Sequence, residues 1–127
     1  MKKMLIGSVL ALAAGLYAFT EAPHTLQGRW ENVTSTKDGT YRFLAVFRAD
    51  DTYDGFMNGK AFLTGKYHFQ NDTLTLSDHI CQEGYTGTYF VQFVTPDSLV
   101  FRLINDTCSI RREGTDGVTF KRLPVKP

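Results

Sequence analysis

Gly65-Lys-Tyr67-His-Phe-Gln-Asn-Asp72-Thr-Leu74-Thr-Leu76-Ser-Asp-His-Ile-Cys81 is followed at once by Gln82-Glu-Gly-Tyr-Thr-Gly87-Thr-Tyr89-Phe-Val-Gln-Phe-Val-Thr-Pro-Asp97-Ser-Leu99-Val-Phe101-Arg-Leu-Ile-Asn-Asp-Thr-Cys108. The same pattern occurs twice. Each copy opens with Gly-x-Tyr, passes through an Asp turn, returns on alternating apolar residues and ends at a cysteine. Alternation with a period of two marks half-buried strands, and short Asn/Asp-rich breaks mark hairpin turns. The doubled stretch therefore predicts two successive β-hairpins with their far ends joined by a Cys81–Cys108 disulfide.

The same rhythm extends outward. From Leu26 onward, turn signals recur roughly every 8–12 residues with extended runs between them, which predicts an antiparallel all-β domain. The expected strands are Gln27–Val33, Thr40–Arg48, Thr52–Met57, Lys60–Phe69, Thr73–Ser77, Tyr85–Val94, Ser98–Ile104 and Val118–Leu123. A short run, Cys108–Arg112, is a further candidate to pair with the last strand. Tyr41, Phe43, Ala45 and Phe47 share one face. So do Tyr67 and Phe69, Leu74 and Leu76, Tyr89, Val91 and Phe93, Leu99, Phe101 and Leu103, and Val118 and Phe120. Strands with one apolar and one polar face bury the apolar one by closing into a barrel, which also removes exposed edges. The expected fold is thus an all-β, antiparallel up-and-down β-barrel of about eight strands. A two-sheet sandwich is the alternative. Strands running up and down in order place both cysteines at one mouth, together with the longer connections. A ligand or partner is expected at that elaborated mouth.

The chain of 127 residues has room for one domain. Met1-Lys2-Lys3 precedes an apolar run, Met4 to Phe19, with small residues near Ala18 and Ala22. This is the layout of a secretory signal peptide. The expected organisation is a signal peptide over residues 1–18, a leader over 19–25, the barrel over 26–123 and a tail over 124–127. Loss of Lys2 and Lys3 takes the formal charge from +1 to about −1, which gives no electrostatic case for nucleic acid or an anionic membrane surface. Export to the periplasm or beyond exposes the cysteines to an oxidising compartment. Their bridge is worth roughly 3–4 kcal/mol in the chain-entropy model.

Leu26-Gln-Gly28-Arg-Trp30 opens the first strand and Phe120-Lys-Arg122-Leu123 closes the last. An arginine on the face of a tryptophan contributes about 0.5–2 kcal/mol. Gly28, Trp30 and Arg122 together resemble the lipocalin-like, or calycin, arrangement, in which a Gly-x-Trp starts the first strand and a basic residue of the last strand packs across it. The domain is shorter than classical lipocalins and no helix is expected after its strands. It is closer to the short lipocalin-like domains of bacterial secreted proteins. The resemblance implies a non-enzymatic, cofactor-free binder of a small, partly apolar molecule.

The inward-facing aromatics are numerous enough to fill an eight-stranded interior, which is just wide enough for side chains or one small molecule. Two readings therefore stay open. Either a cavity receives a small ligand, or a filled barrel acts as a monomeric protein-interaction or inhibitor-like module through the same loops. For a ligand, Tyr41, Tyr67, Tyr89 and Phe93 are the expected contacts. Arg111 and Arg112 are candidates for a carboxylate or phosphate through their fork geometry.

Other motifs carry less. Ser77-Asp78-His79 has the residue types of a catalytic triad, but neighbours on an extended chain point to opposite faces. Asp50-Asp51-Thr52-Tyr53-Asp54-Gly55 starts like a calcium loop yet puts Ala61 where a bidentate Glu belongs. No His-x-His or Cys-x-x-Cys spacing supports a zinc site. Asn32, Asn71 and Asn105 open acceptor tripeptides for glycosylation but are read mainly as turn chemistry.

Overall fold

The computed structural model describes residues 24–82 and 84–125. The expected signal peptide lies outside the described residues. Eight strands form one closed antiparallel barrel in which sequence neighbours are spatial neighbours. They are β1 (Gly28–Thr36), β2 (Gly39–Phe47), β3 (Thr52–Met57), β4 (Lys60–Gln70), β5 (Thr73–Asp78), β6 (Thr86–Thr95), β7 (Ser98–Asp106) and β8 (Thr119–Arg122). A short helix, α1 (Ser109–Thr115), precedes β8.

The turns are built from the expected chemistry. Asn58 and Gly59 both have positive φ, as do Asn71 and Asp72. Two consecutive left-handed residues match the right-handed twist of the strands they join. At Ala49–Asp51, the Asp50 carboxylate accepts bonds from the Thr52 amide at 3.1 Å and the Thr52 hydroxyl at 2.5 Å, and Arg48 pairs with Asp54 across the turn. The calcium-like sequence is thus a capped hairpin turn.

The segment after Cys108 differs from the expected extended run, because Ser109–Thr115 is helical. Arg111, Arg112 and Glu113 are good helix formers and outweigh the single β-branched Ile110. The Arg112 amide bonds back to the Cys108 carbonyl at 2.9 Å and the Asp116 amide to that of Arg112 at 2.9 Å. The helical turn also lets Arg111 point into the barrel mouth, where it is 4% exposed.

Closure occurs at the lower end. β1 meets β8 at two residue pairs, Trp30↔Arg122 and Glu31↔Lys121. Trp30 is fully buried. Its indole N–H donates to the Leu26 carbonyl at 2.7 Å, and the Arg122 guanidinium lies 4.2 Å above its ring. Arg122 also donates to the carbonyls of Gln27 at 2.8 Å and Thr25 at 2.7 Å and to Asp97 at 3.1 Å. This one side chain ties the chain's entry, the β6–β7 turn and the last strand to the floor. Phe93 packs edge-on against both Trp30 and Phe69, so the lower half is filled.

At the upper end Cys81 and Cys108 are bonded, with Cα atoms 5.9 Å apart. The bridge ties the connection after β5 to the start of α1. Such a bond belongs to an oxidising compartment.

Candidate functional site

Above the packed floor the barrel is hollow. A cavity of about 440 Å³ opens at the upper mouth, lined on one side by the tall β1–β2 and β3–β4 hairpins and on the other by α1 and Ile80. Strand alternation puts Asn32 and Thr34 of β1 above Trp30, and Tyr41, Phe43, Ala45 and Phe47 of β2 on the inward face. Phe62 enters through a β-bulge. Gly55 pairs with Leu63 and Phe56 with Ala61, so Phe62 is the extra residue on its strand. It turns to the mouth and meets Phe43 edge to face, with centroids 6.2 Å apart. Phe101 and Phe120 form the deeper wall. The interior is therefore neither packed throughout nor hollow throughout.

Beside the cavity lies a buried ionic cluster. Arg111 donates to Asp106 through Nε at 2.8 Å and Nη2 at 3.0 Å, to Asp78 through Nη1 at 3.2 Å and to the Tyr85 carbonyl at 3.1 Å. Tyr89 donates its hydroxyl to Asp106 at 2.6 Å, and Tyr53 donates to Asp78. The Ile80 and Cys108 amides complete the two carboxylates at 3.1 and 2.9 Å. Two carboxylates and one guanidinium give a formal charge of −1, stabilised by phenol and amide donors.

The doubled Gly-x-Tyr pattern makes room for this cluster. Gly65 pairs with Asp78 and Gly87 with Asp106. A Cβ on Gly65 would sit 2.8 Å from Asp78 Cβ and 2.9 Å from Tyr53 Cε1. One on Gly87 would sit 2.6 Å from Asp106 Cγ and 3.0 Å from Arg111 Nε. In each copy the glycine gives space to the aspartate across from it, and both aspartates reach the same arginine.

Titration follows from these contacts. Burial, reinforced by the bond to Asp78, pushes the Tyr53 phenol far above its ordinary range. Burial and Asp106 do the same to Tyr89. For Asp106, burial pushes upward, but bonds from Arg111, Tyr89 and the Cys108 amide outweigh it and hold the carboxyl below its usual value. For Arg111, burial opposes the charge, and Asp106 and Asp78 more than restore it.

The residues anticipated from sequence are distributed as follows. Tyr41 and Arg111 line the cavity. Arg111 is already committed to two carboxylates, and Arg112 donates to the Asp106 carbonyl at 2.9 Å. The two arginines thus do not form one fork. Tyr89 sits within the ionic cluster. Phe93 belongs to the floor, stacked on His24 at 4.4 Å. Tyr67 lines a shallow cleft of about 220 Å³ at the lower end and donates to the Arg48 carbonyl at 2.6 Å. Asp78 ends β5 and bonds Tyr53 and Arg111, whereas His79, in the turn that follows, accepts from the Thr64 amide at 3.2 Å, so the two form no relay. Among the described residues no cluster of His, Cys, Asp or Glu has a metal-binding arrangement.

Sequence reasoning missed Tyr53, Asp78, Phe62 and the inward turn of Asp106. Asp78 had a signal, since it continues the Leu74–Leu76 parity.

Comparison with family models, curated proteins and solved structures finds no match for this chain.

Proposed function

We propose that this protein is an exported, lipocalin-like binding protein that takes a small, largely apolar molecule into its upper mouth without chemically changing it. The observation that carries the reading is the half-hollow barrel. The closed end is packed around Trp30, while about 440 Å³ at the open end stays apolar and ringed by aromatics. A concave apolar site with a few oriented polar groups is the usual form of a small-molecule site. Asn32, Thr34, Tyr41 and Thr115 supply those groups here. Gly28, Trp30 and Arg122 at the floor support the lipocalin-like assignment. The disulfide and the basic, then apolar N-terminus support export, and the near-neutral charge balance offers nucleic acid no basic surface.

The test is fluorescence titration with the neutral probe N-phenyl-1-naphthylamine. The expected result is saturable enhancement with the native circular dichroism spectrum retained. Thr34→Trp places an indole in the mouth from an exposed lining position and is expected to weaken the probe at least about fivefold without lowering Tm, by removing apolar volume. Enhancement that is absent, or unaffected by Thr34→Trp, refutes binding in this cavity.

The exposed apolar rim, Phe62 at 47% and Ile110 at 59%, favours the second reading, a protein partner on the same loops.

A further inference from the structure

The charge around the cavity restricts what its ligand can carry. Apart from tyrosines, the ionisable lining residues are Asp78 and Arg111. The Arg111 guanidinium is bound on one side by Asp106 and on another by Asp78, and the cluster retains one excess negative charge. Arg112 is held on the Asp106 carbonyl and does not line the cavity. Arg42, on the outer face of β2, pairs with Glu31 at 3.2 Å. Lys37 and Lys60 stand exposed at the hairpin tips. An anionic headgroup entering the cavity therefore meets no unpaired cation among the described lining residues, and an uncompensated buried charge is costly.

The same walls are suited to the opposite charge. Phe43 and Phe62 stand nearly perpendicular, at 87°, and Phe43 meets Phe120 at 75° with centroids 6.1 Å apart. Tyr41 lines the same upper space. Aromatic faces carry negative quadrupole potential and attract an ammonium group, and four rings, those of Tyr41, Phe43, Phe62 and Phe120, line this space. The excess carboxylate charge behind Arg111 adds to that field.

We infer that the cavity selects a ligand with an apolar body and a cationic amine, and discriminates against fatty-acid-like anions. This inference rests on the small-molecule reading above and deepens it.

Isothermal titration calorimetry at pH 7 with the intact mature protein separates the two. Three probes share one ring system: 2-naphthylmethylamine, 2-naphthalenemethanol and 2-naphthoate. The amine is expected to bind about tenfold tighter than the alcohol, as a desolvated cation–π site allows, and the carboxylate weakest of all. In Phe62→Leu, with Tm checked, the amine is expected to lose about fivefold and the alcohol less than about twofold. A carboxylate or alcohol that binds as tightly as the amine overturns the charge selection and leaves the binding cavity standing. Equal losses for amine and alcohol in Phe62→Leu overturn the role of the aromatic corner. Silence from all three probes overturns both this inference and the small-molecule reading.

Discussion

Replacing Arg111 with methionine keeps an unbranched, apolar stem and deletes every donor at the centre of the ionic cluster. Asp106 loses two bonds, Asp78 loses one and the Tyr85 carbonyl loses one. Two carboxylates, both nearly inaccessible, are left without a counter-charge. Removing one partner of a buried ion pair typically costs about 3–5 kcal/mol. For a domain of roughly 100 residues, each kcal/mol lowers Tm by about 4–8 °C, so a fall of roughly 20 °C is expected. Thermal melts followed by circular dichroism measure it directly.

The pH dependence of Arg111→Met supplies a second, sharper readout. In the wild type, Asp106 is held below its unfolded value. Its contribution is present above about pH 4 and is lost as pH falls through the lower folded value. In Arg111→Met the counter-charge is gone and the two carboxylates face each other. With its main donor lost and its burial kept, Asp106 then has a folded value above the unfolded one, and stability returns as pH falls from about 7 toward 5. Combining the change with Asp78→Asn and Asp106→Asn removes the stranded charges and is expected to recover part of the loss. A fall in Tm below about 5 °C, or one that deepens on mild acidification, would refute the account of Arg111 as the electrostatic centre of the mouth.

Gly87→Ala drives a methyl group against Asp106 and Arg111, which the cluster holds in place, and is expected to cost about 1–3 kcal/mol in urea denaturation; Gly114→Ala, with open space around its Cβ, is the neutral or mildly stabilising control. Alkaline titration should find Tyr53 and Tyr89 still protonated after the exposed tyrosines have ionised. Their raised values give stability that is complete below about pH 10 and is lost as pH climbs toward the folded values, so tyrosinate absorbance from these two should rise together with loss of the fold.

The strands were legible because each is half-buried, and alternation then writes the inside and outside faces into the residue order. Trp30 and Arg122 could be placed together because an up-and-down barrel makes the first and last strands neighbours. The mouth was harder to read for three physical reasons. The bulge at Phe62 breaks parity on β4. A register shift between Thr88 and Tyr89 breaks it on β7 and turns Asp106 inward, out of phase with Leu99 and Phe101, while Leu103, expected on their buried face, is exposed. On β3, Gly55 separates Tyr53 from Met57 and, having no side chain, conceals the apolar face that Tyr53 belongs to. The burial of Arg111 was unreadable for a different cause. An arginine in a loop is ordinarily solvated, and only two aspartates brought from other strands make its burial tolerable.

The short seam between β1 and β8 has a consequence for the order in which this molecule can be made. Trp30 and Arg122 stand near opposite ends of the chain, and their register is one of only two pairs that close the wall. Hairpins β1–β2 through β6–β7 need only local contacts and can form as the chain emerges. Closure is the most non-local event in the fold and carries the largest loop entropy. A chain cut before Val118 would remain an open sheet with two unprotected edges and an uncovered tryptophan. The last few residues of the domain thus act as its clasp: nothing upstream is sealed until Arg122 has been synthesised.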